Sequence, residues 1–124
     1  MRVVLDTNAL MMPVEVGVRT FEELDRLLGD HETVVPRAVL DELDDLAEGN
    51  GEEAKAASVG ADLARRECEP IEHEAAYADD AVLEIAREVD GAVTNDMPLR
   101  RRLLDENVPV ISLRGRNKLE VTQP

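Results

Sequence analysis

Apolar residues fall along this chain in two rhythms, short continuous runs and longer stripes at helical spacing, and the two alternate. Arg2-Val3-Val4-Leu5 is a run that stops at the polar triplet Asp6-Thr7-Asn8, which predicts a buried strand ending in a turn. Thr20 with Glu23 has the form of a capping box ahead of Phe21, Leu24, Leu27 and Leu28, so a helix is expected to run to about Gly29. Thr33-Val34-Val35 reads as the next strand. Pro36 suits the first turn of a second helix, because its missing N–H has no partner to lose there, and that helix continues through Leu46 to the break at Gly49-Asn50-Gly51. From Ala54 onward the small residues Ala54, Ala57, Ala61 and Ala64, followed by Cys68, recur three and four apart, a narrow stripe suited to close packing of another helix. A helix from about Asp79 to Val89, ended by Gly91, leads to a strand at Ala92-Val93-Thr94 and then to Asn95-Asp96. Pro98 opens a helix through Leu104, Val108-Pro109-Val110-Ile111 supplies a fourth strand, and an edge strand is expected around Leu119 to Val121.

Strands alternating with helices in this way predict an α/β fold, a parallel sheet wrapped by helices on both faces. No internal repeat or linker divides the chain, so residues 1–124 are expected to form a single domain. Ligands of such sheets bind beyond the carboxyl ends of the strands, which is where Asp6 and Asp96 fall.

Helical angles at about 100° per residue separate the remaining acids. On the helix from Pro36, Val39, Leu40, Leu43, Leu46 and Ala47 form one stripe, and Asp41, Asp44 and Asp45 lie roughly opposite it. Glu42 lies at the stripe's border, about 90° from its centre, where a carboxylate reaches a partly buried pocket. On the later helix Val82, Leu83, Ile85, Ala86 and Val89 define the buried direction; Asp79 lies about 50° from it and Asp80 about 150°. Asp79 is therefore the expected site residue. Asp80 shares the solvent face with Glu84, Arg87 and Glu88, and its functional place would be behind the ligands, supporting them.

Four carboxylates brought together raise one another's pKa, and a hard divalent cation is the usual compensation. An oxygen-only set without histidine or cysteine suits Mg²⁺ or Mn²⁺, which orients a phosphodiester and generates a hydroxide nucleophile. Each acid also has a plainer reading. Asp79, Asp80 and Asp96 stand at helix starts and Asp6 at the head of a segment, where a carboxylate caps free N–H groups.

Composition narrows the setting. The net charge of -14 argues against nucleic-acid binding by bulk electrostatics. Yet the basic residues are almost all arginine, with lysine only at Lys55 and Lys118, against 28 acids. That bias is the expectation for a halophilic protein, whose acidic surface serves solubility in high salt and says little about ligands. Unfolding that recedes in concentrated KCl is the expected behaviour, and stability independent of salt would contradict it. Cys68 is the only cysteine, which excludes an intramolecular disulfide and a cysteine zinc cluster within one chain. His31 and His73 have no ligand-like neighbours in the sequence. Nothing approaches the ~20 apolar residues of a membrane span or a signal peptide's apolar region, so a soluble, intracellular, cytoplasmic protein with no membrane association is expected.

These residues carry a resemblance. The chain is similar to PIN-domain proteins over essentially its whole length: Val4-Leu5-Asp6-Thr7-Asn8, then Val35-Pro36 with Val39 and Glu42-Leu43, then Asp79-Asp80-Ala81-Val82-Leu83, then Val93-Thr94-Asn95-Asp96 with Leu99-Arg100. The first and last segments are specific as a pair. The resemblance implies a three-layer α/β/α sandwich with a mainly parallel sheet. It implies Mg²⁺- or Mn²⁺-dependent endoribonuclease activity leaving a 5′-phosphate, with Asp6, Glu42, Asp79 and Asp96 as the catalytic and metal-binding set. Asn8 and Thr94 would be supporting polar residues near the metal. The third acid's spacing varies in the family, so Asp80 stays open beside Asp79.

RNA needs positive charge near the acids, and the densest supply is Arg100-Arg101-Arg102, with Arg114, Arg116 and Lys118 beyond; Arg100, Arg101 and Arg114 are the candidate RNA contacts. Arg101 and Arg102 also read as a solvated helix face. Phe21 and Tyr77 are the only aromatics, which leaves little for base stacking. Within the resemblance, a VapC-type toxin restrained by an antitoxin and an archaeal ribosomal-RNA processing nuclease with a ribosome-assembly partner are both open. From another class, the chain would be a catalytically silent scaffold binding RNA or protein. A phosphatase of the haloacid-dehalogenase type is discounted, because Asn8 stands where that family has a second aspartate. The resemblance also makes a homodimer an expectation, with the alanine-rich segment from Ala54 to Cys68 as the contact surface.

Overall fold

A computed structural model describes residues 1–124. The elements in chain order are β1 (Arg2–Leu5), α1 (Thr7–Glu15), α2 (Thr20–Leu28), β2 (Glu32–Pro36), α3 (Arg37–Ala47), α4 (Gly51–Glu67), β3 (Glu69–Ile71), α5 (Ala78–Ala86), β4 (Gly91–Val93), α6 (Met97–Asp105), β5 (Val110–Arg114) and β6 (Lys118–Thr122). The six strands form one sheet in the order β3-β2-β1-β4-β5-β6, parallel throughout except for β6, which runs antiparallel to β5. The six flanking helices complete an α/β sandwich, as the alternation predicted. Val3, Val4, Leu5, Val34, Val35, Ala92 and Val93 are fully enclosed, which explains why the central parallel strands read as unbroken apolar runs. None of the helices is long and apolar enough to cross a membrane.

Connections from β1 step one way along the sheet, to β2 and β3, whereas those leaving β4 step the other way, to β5. The chain crosses over between these directions at the β1/β4 pair, where Val4 is in register with Ala92 and Leu5 with Val93. Crevices at such reversals, just past the carboxyl ends of the strands, are the usual ligand sites of open α/β sheets.

Several sequence expectations are corrected. Asp6-Thr7-Asn8 is not a turn but the start of α1, whose Ala9, Leu10, Met11 and Met12 are all buried, so the helix lacks the polar face by which amphipathic helices are recognised. The capping box does not form: Arg19 precedes the helix without capping it, the Thr20 hydroxyl is buried without a partner, and Glu23 turns elsewhere. Pro36 ends β2 instead of entering α3. β3 was not expected, since Glu69-Pro70-Ile71 holds one aliphatic residue and a proline, which an edge strand tolerates. The alanine stripe is not an intermolecular surface. Ala54, Ala57, Ala61 and Ala64 are buried within the chain, where α4 packs on α1 and α3.

Glu23 closes the far edge of the sheet. Its carboxylate accepts from the Leu119 N–H at 2.9 Å and from Arg26 at 2.8 and 3.0 Å, while Arg26 donates to the Leu119 carbonyl at 3.0 Å. An α2 ion pair thus takes the place of a neighbouring strand along β6. The Arg26 hydrogen bonds and the Leu119 N–H pull the Glu23 pKa from 4.5 down to about 2. Because the folded state depresses it, this contribution to stability is complete above about 4.5 and is lost as pH falls toward 2. Glu23→Gln is expected to lower stability at neutral pH and to flatten the acid limb of a stability-pH curve; an unchanged limb would show the pair to be idle.

Candidate functional site

β1 ends at Leu5, and the next residue, Asp6, turns back to cap α1: its Oδ1 accepts from the Ala9 N–H at 2.7 Å. Its other oxygen accepts a short hydrogen bond from the Thr94 hydroxyl just beyond β4. Thr94 Oγ1 in turn accepts from the Asp96 N–H at 3.0 Å, and Asp96 caps α6 by accepting from the Leu99 N–H at 2.9 Å. The capping reading of these two acids is therefore correct, and it fixes them at the point where the sheet reverses direction. One Asp96 oxygen is left free of that bond.

Asparagines tie the same edge together. Asn8 Oδ1 accepts from the Asn95 N–H at 3.0 Å, and Asn95 Oδ1 accepts from the Leu113 N–H at 3.2 Å, joining α1, the turn after β4 and β5. Asn95 was visible in its motif but carried no assigned role. Asp79, in the first turn of α5, and Glu42, on α3, complete a cleft with Asp6 and Asp96, which Thr7, Asn8 and Met11 also line. Glu15 and Glu53 join this rim as well. Nothing in the local sequence of those two glutamates distinguishes them from other surface acids.

The cleft holds negative charge with no cationic side chain among its lining residues. Burial pushes the Asp6 carboxyl up to about 7, against the lowering effect of its bonds from Thr94 and Ala9, and the charges of Asp79 and Asp96 add to the rise. Asp79 is raised too, first by desolvation and then by Asp96 and Glu42, with Arg102 opposing. Asp79 and Glu42 are nonetheless both exposed, and Asp80 is the more covered of the two neighbouring aspartates, the reverse of what the helical wheel predicts. No three acidic or histidine side chains are already drawn into the spacing of a closed ion shell.

The remaining expected residues, Asp80, Arg100, Arg101 and Arg114, are not among those that line the cleft. Asp80 does not support the acids; it accepts from Arg102 Nη2 at 2.9 Å. Arg100 is turned toward Thr122 Oγ1 at 3.1 Å and the Met97 sulfur at 3.9 Å. Arg101 is exposed, and Arg114 stands 3.8 Å from Glu120. His73, for which the sequence gave no neighbours, accepts from the Ala38 N–H at 2.9 Å and pairs with the Ala75 carbonyl at 2.8 Å. It thereby holds the segment before α5 to the first turn of α3, and Glu84 secures the same segment through the N–H groups of Glu74 and Ala75.

Comparisons with known proteins follow this geometry. A family profile described as a PIN-like domain matches residues 3–116. Ribonuclease VapC4 from Methanocaldococcus jannaschii is 28% identical over 127 residues, covering 97% of this chain and 95% of that protein. Among solved structures, the PIN domain endonuclease Utp24 superposes with a TM-score of 0.79 at 22% identity, covering 99% of this chain and 92% of its own. VapBC2 from Rickettsia felis, solved bound to a DNA fragment from its promoter, gives a TM-score of 0.67 at 15% identity, covering 92% and 100%. These two likenesses concern the fold.

Proposed function

We propose that this chain, which belongs to the PIN-like domain family, is a divalent-metal-dependent endoribonuclease. The observation that carries the reading is the meeting of Asp6, Glu42, Asp79 and Asp96, from four separate parts of the chain, in one cleft at the β1/β4 reversal with no basic residue among them. An all-oxygen donor set with uncompensated charge fits Mg²⁺ or Mn²⁺ and does not fit a soft metal. Asp6, Asp79 and Asp96 would hold the ion, with Glu42 reaching in from α3. When bound, such an ion polarises a phosphodiester and lowers the pKa of a water.

The chain's own residues supply position. Thr94 and the Ala9 N–H orient the Asp6 carboxylate, so one ligand is rigid before any ion arrives. The Asn8-Asn95-Leu113 ladder holds the turn that presents Asp96. Glu42 and Asp79 are the exposed members and would complete the oxygen set around a bound ion. β5 runs parallel to β4, so the hairpin bearing Arg114, Arg116 and Lys118 leaves the sheet from the same edge as Asp96 and offers phosphate contacts to RNA extending past the cleft.

The test is incubation of end-labelled RNA with Mg²⁺ or Mn²⁺ at a salt concentration that keeps the protein folded, comparing the native chain with folded Asp6→Asn and Asp79→Asn. Metal-dependent cuts bearing 5′-phosphates, absent from both variants, are expected. RNA binding without cleavage would replace this reading with the silent scaffold. The toxin-type and RNA-processing roles share the same chemistry, and the RNA that is cut in the cell separates them.

A further inference from the structure

We propose that Arg102, held in place by Asp80, is the phosphate-binding cation beside the acidic cleft, and that Asp80 is its positioning residue; this rests on the nuclease reading above. Asp79 and Asp80 are neighbours in the first turn of α5 and diverge: Asp79 lines the cleft with Asp6, Glu42 and Asp96, and Asp80 reaches Arg102 on α6. The two side chains of that pair are each 47% exposed. A guanidinium carries five N–H donors, and Asp80 engages one nitrogen of Arg102, so donors remain for a planar, forked contact with phosphate.

Substrate charge calls for such a group. An RNA phosphate approaching four carboxylates meets like charge on every side that the metal does not cover, and no cationic side chain lines the cleft itself. Of the other arginines on or at the ends of α5 and α6, Arg101 is exposed without an acidic partner and two are committed elsewhere. Arg100 lies against Thr122 and Met97, and Arg87 makes a two-pronged pair with Glu106 at 2.7 and 3.1 Å. Arg102 meets Asp80, the residue next to Asp79, which puts its guanidinium beside the rim of the cleft. The adjacent pair of aspartates thus divides two tasks, one side chain facing the ion and the other holding the arginine. An exposed ion pair adds little to stability, so removing this one should leave the fold intact.

The experiment measures steady-state cleavage of an RNA oligonucleotide in Mn²⁺, together with calorimetric Mn²⁺ binding, for the native chain, R102Q, R102K, D80N and R87Q. R87Q removes a second ion pair, the one that joins the C-terminal ends of α5 and α6, and serves as the control. R102Q is expected to raise KM about tenfold, the effect of losing one charged phosphate contact, while Mn²⁺ binds equally well or more tightly. R102K should recover part of the loss, D80N should fall between R102Q and the native chain, and R87Q should match the native chain. Opposite movement of RNA and metal affinity is the signature, since a merely structural defect weakens both. Native activity with an unchanged KM in R102Q overturns this assignment alone, as does loss of Mn²⁺ affinity in step with RNA. A native chain that cleaves no RNA overturns the nuclease reading and this assignment with it.

Discussion

Asp79→Asn should abolish metal-dependent RNA cleavage and at the same time leave the metal-free protein as stable as before or more so. Asp79 shares the cleft with Asp96 and Glu42, and its carboxyl is raised by desolvation and by both of those charges. It accepts no hydrogen bond from the backbone around it that an amide would forfeit. Neutralising it removes repulsion and breaks nothing. Asp6 should behave otherwise. Its carboxylate satisfies the Ala9 N–H and the Thr94 hydroxyl inside the protein, so Asp6→Ala orphans two buried donors and is expected to cost about 2 kcal/mol or more. Activity should fall by about a hundredfold or more in both variants, the scale on which losing a principal charge-stabilising group is felt. Thermal melts in chelator, set beside cleavage rates, check the contrast. A marked loss of stability in Asp79→Asn would mean that this carboxylate serves the fold and not the cleft.

Gly60→Ala should be strongly destabilising, although alanine is the better helix former by about 1 kcal/mol. A Cβ at Gly60 would stand 2.6 Å from the Leu10 carbonyl oxygen and 3.0 Å from its carbon, both backbone atoms of α1. Backbone cannot rotate aside as a side chain can, so α1 and α4 must separate, and overpacking of this kind costs about 3 kcal/mol. The effect should extend to the cleft, since Asp6 caps α1 and its first turn carries Asn8. Denaturant unfolding measures the first part and Mn²⁺ affinity the second. A stabilised Gly60→Ala protein would show that propensity outweighs contact here and that the helices are not in such close approach.

What the sequence disclosed follows from what each residue needed to signal. β1 and β4 are enclosed on both faces, and enclosure demands the apolar runs Val3-Val4-Leu5 and Ala92-Val93 that announce them. Val82, Leu83, Ile85 and Ala86 fix the buried direction of α5, and the helical wheel placed Asp79 toward it and Asp80 toward solvent. Asp79 does line the cleft and Asp80 does not, yet Asp79 is the more exposed of the two, because the wheel knows only its own helix and Arg102 on α6 partly covers Asp80. α1 was hidden for the opposite reason: an almost wholly buried helix containing Pro13 shows no amphipathic rhythm. The small-residue stripe on α4 announced close helix packing but not its partner, which proved to be α1 and α3 of the same chain. Thr20 and Glu23 satisfied a local pattern that a distant group overrode, because the Leu119 N–H lies 96 residues away. Directions of the arginines were illegible on the same grounds. Arg100 and Arg102 stand two apart in one block, yet each is aimed by a partner 22 residues off, Thr122 and Asp80.

The most direct test of the central claim, that four carboxylates at the sheet reversal form a cation site for RNA hydrolysis, is the rate of RNA cleavage as a function of Mn²⁺ concentration for the native chain and Asp79→Asn. The account predicts no cleavage in chelator, a saturable rise with Mn²⁺ for the native chain, and a flat line for the variant. Cleavage that persists in chelator, or an Asp79→Asn curve that overlays the native one, would contradict it.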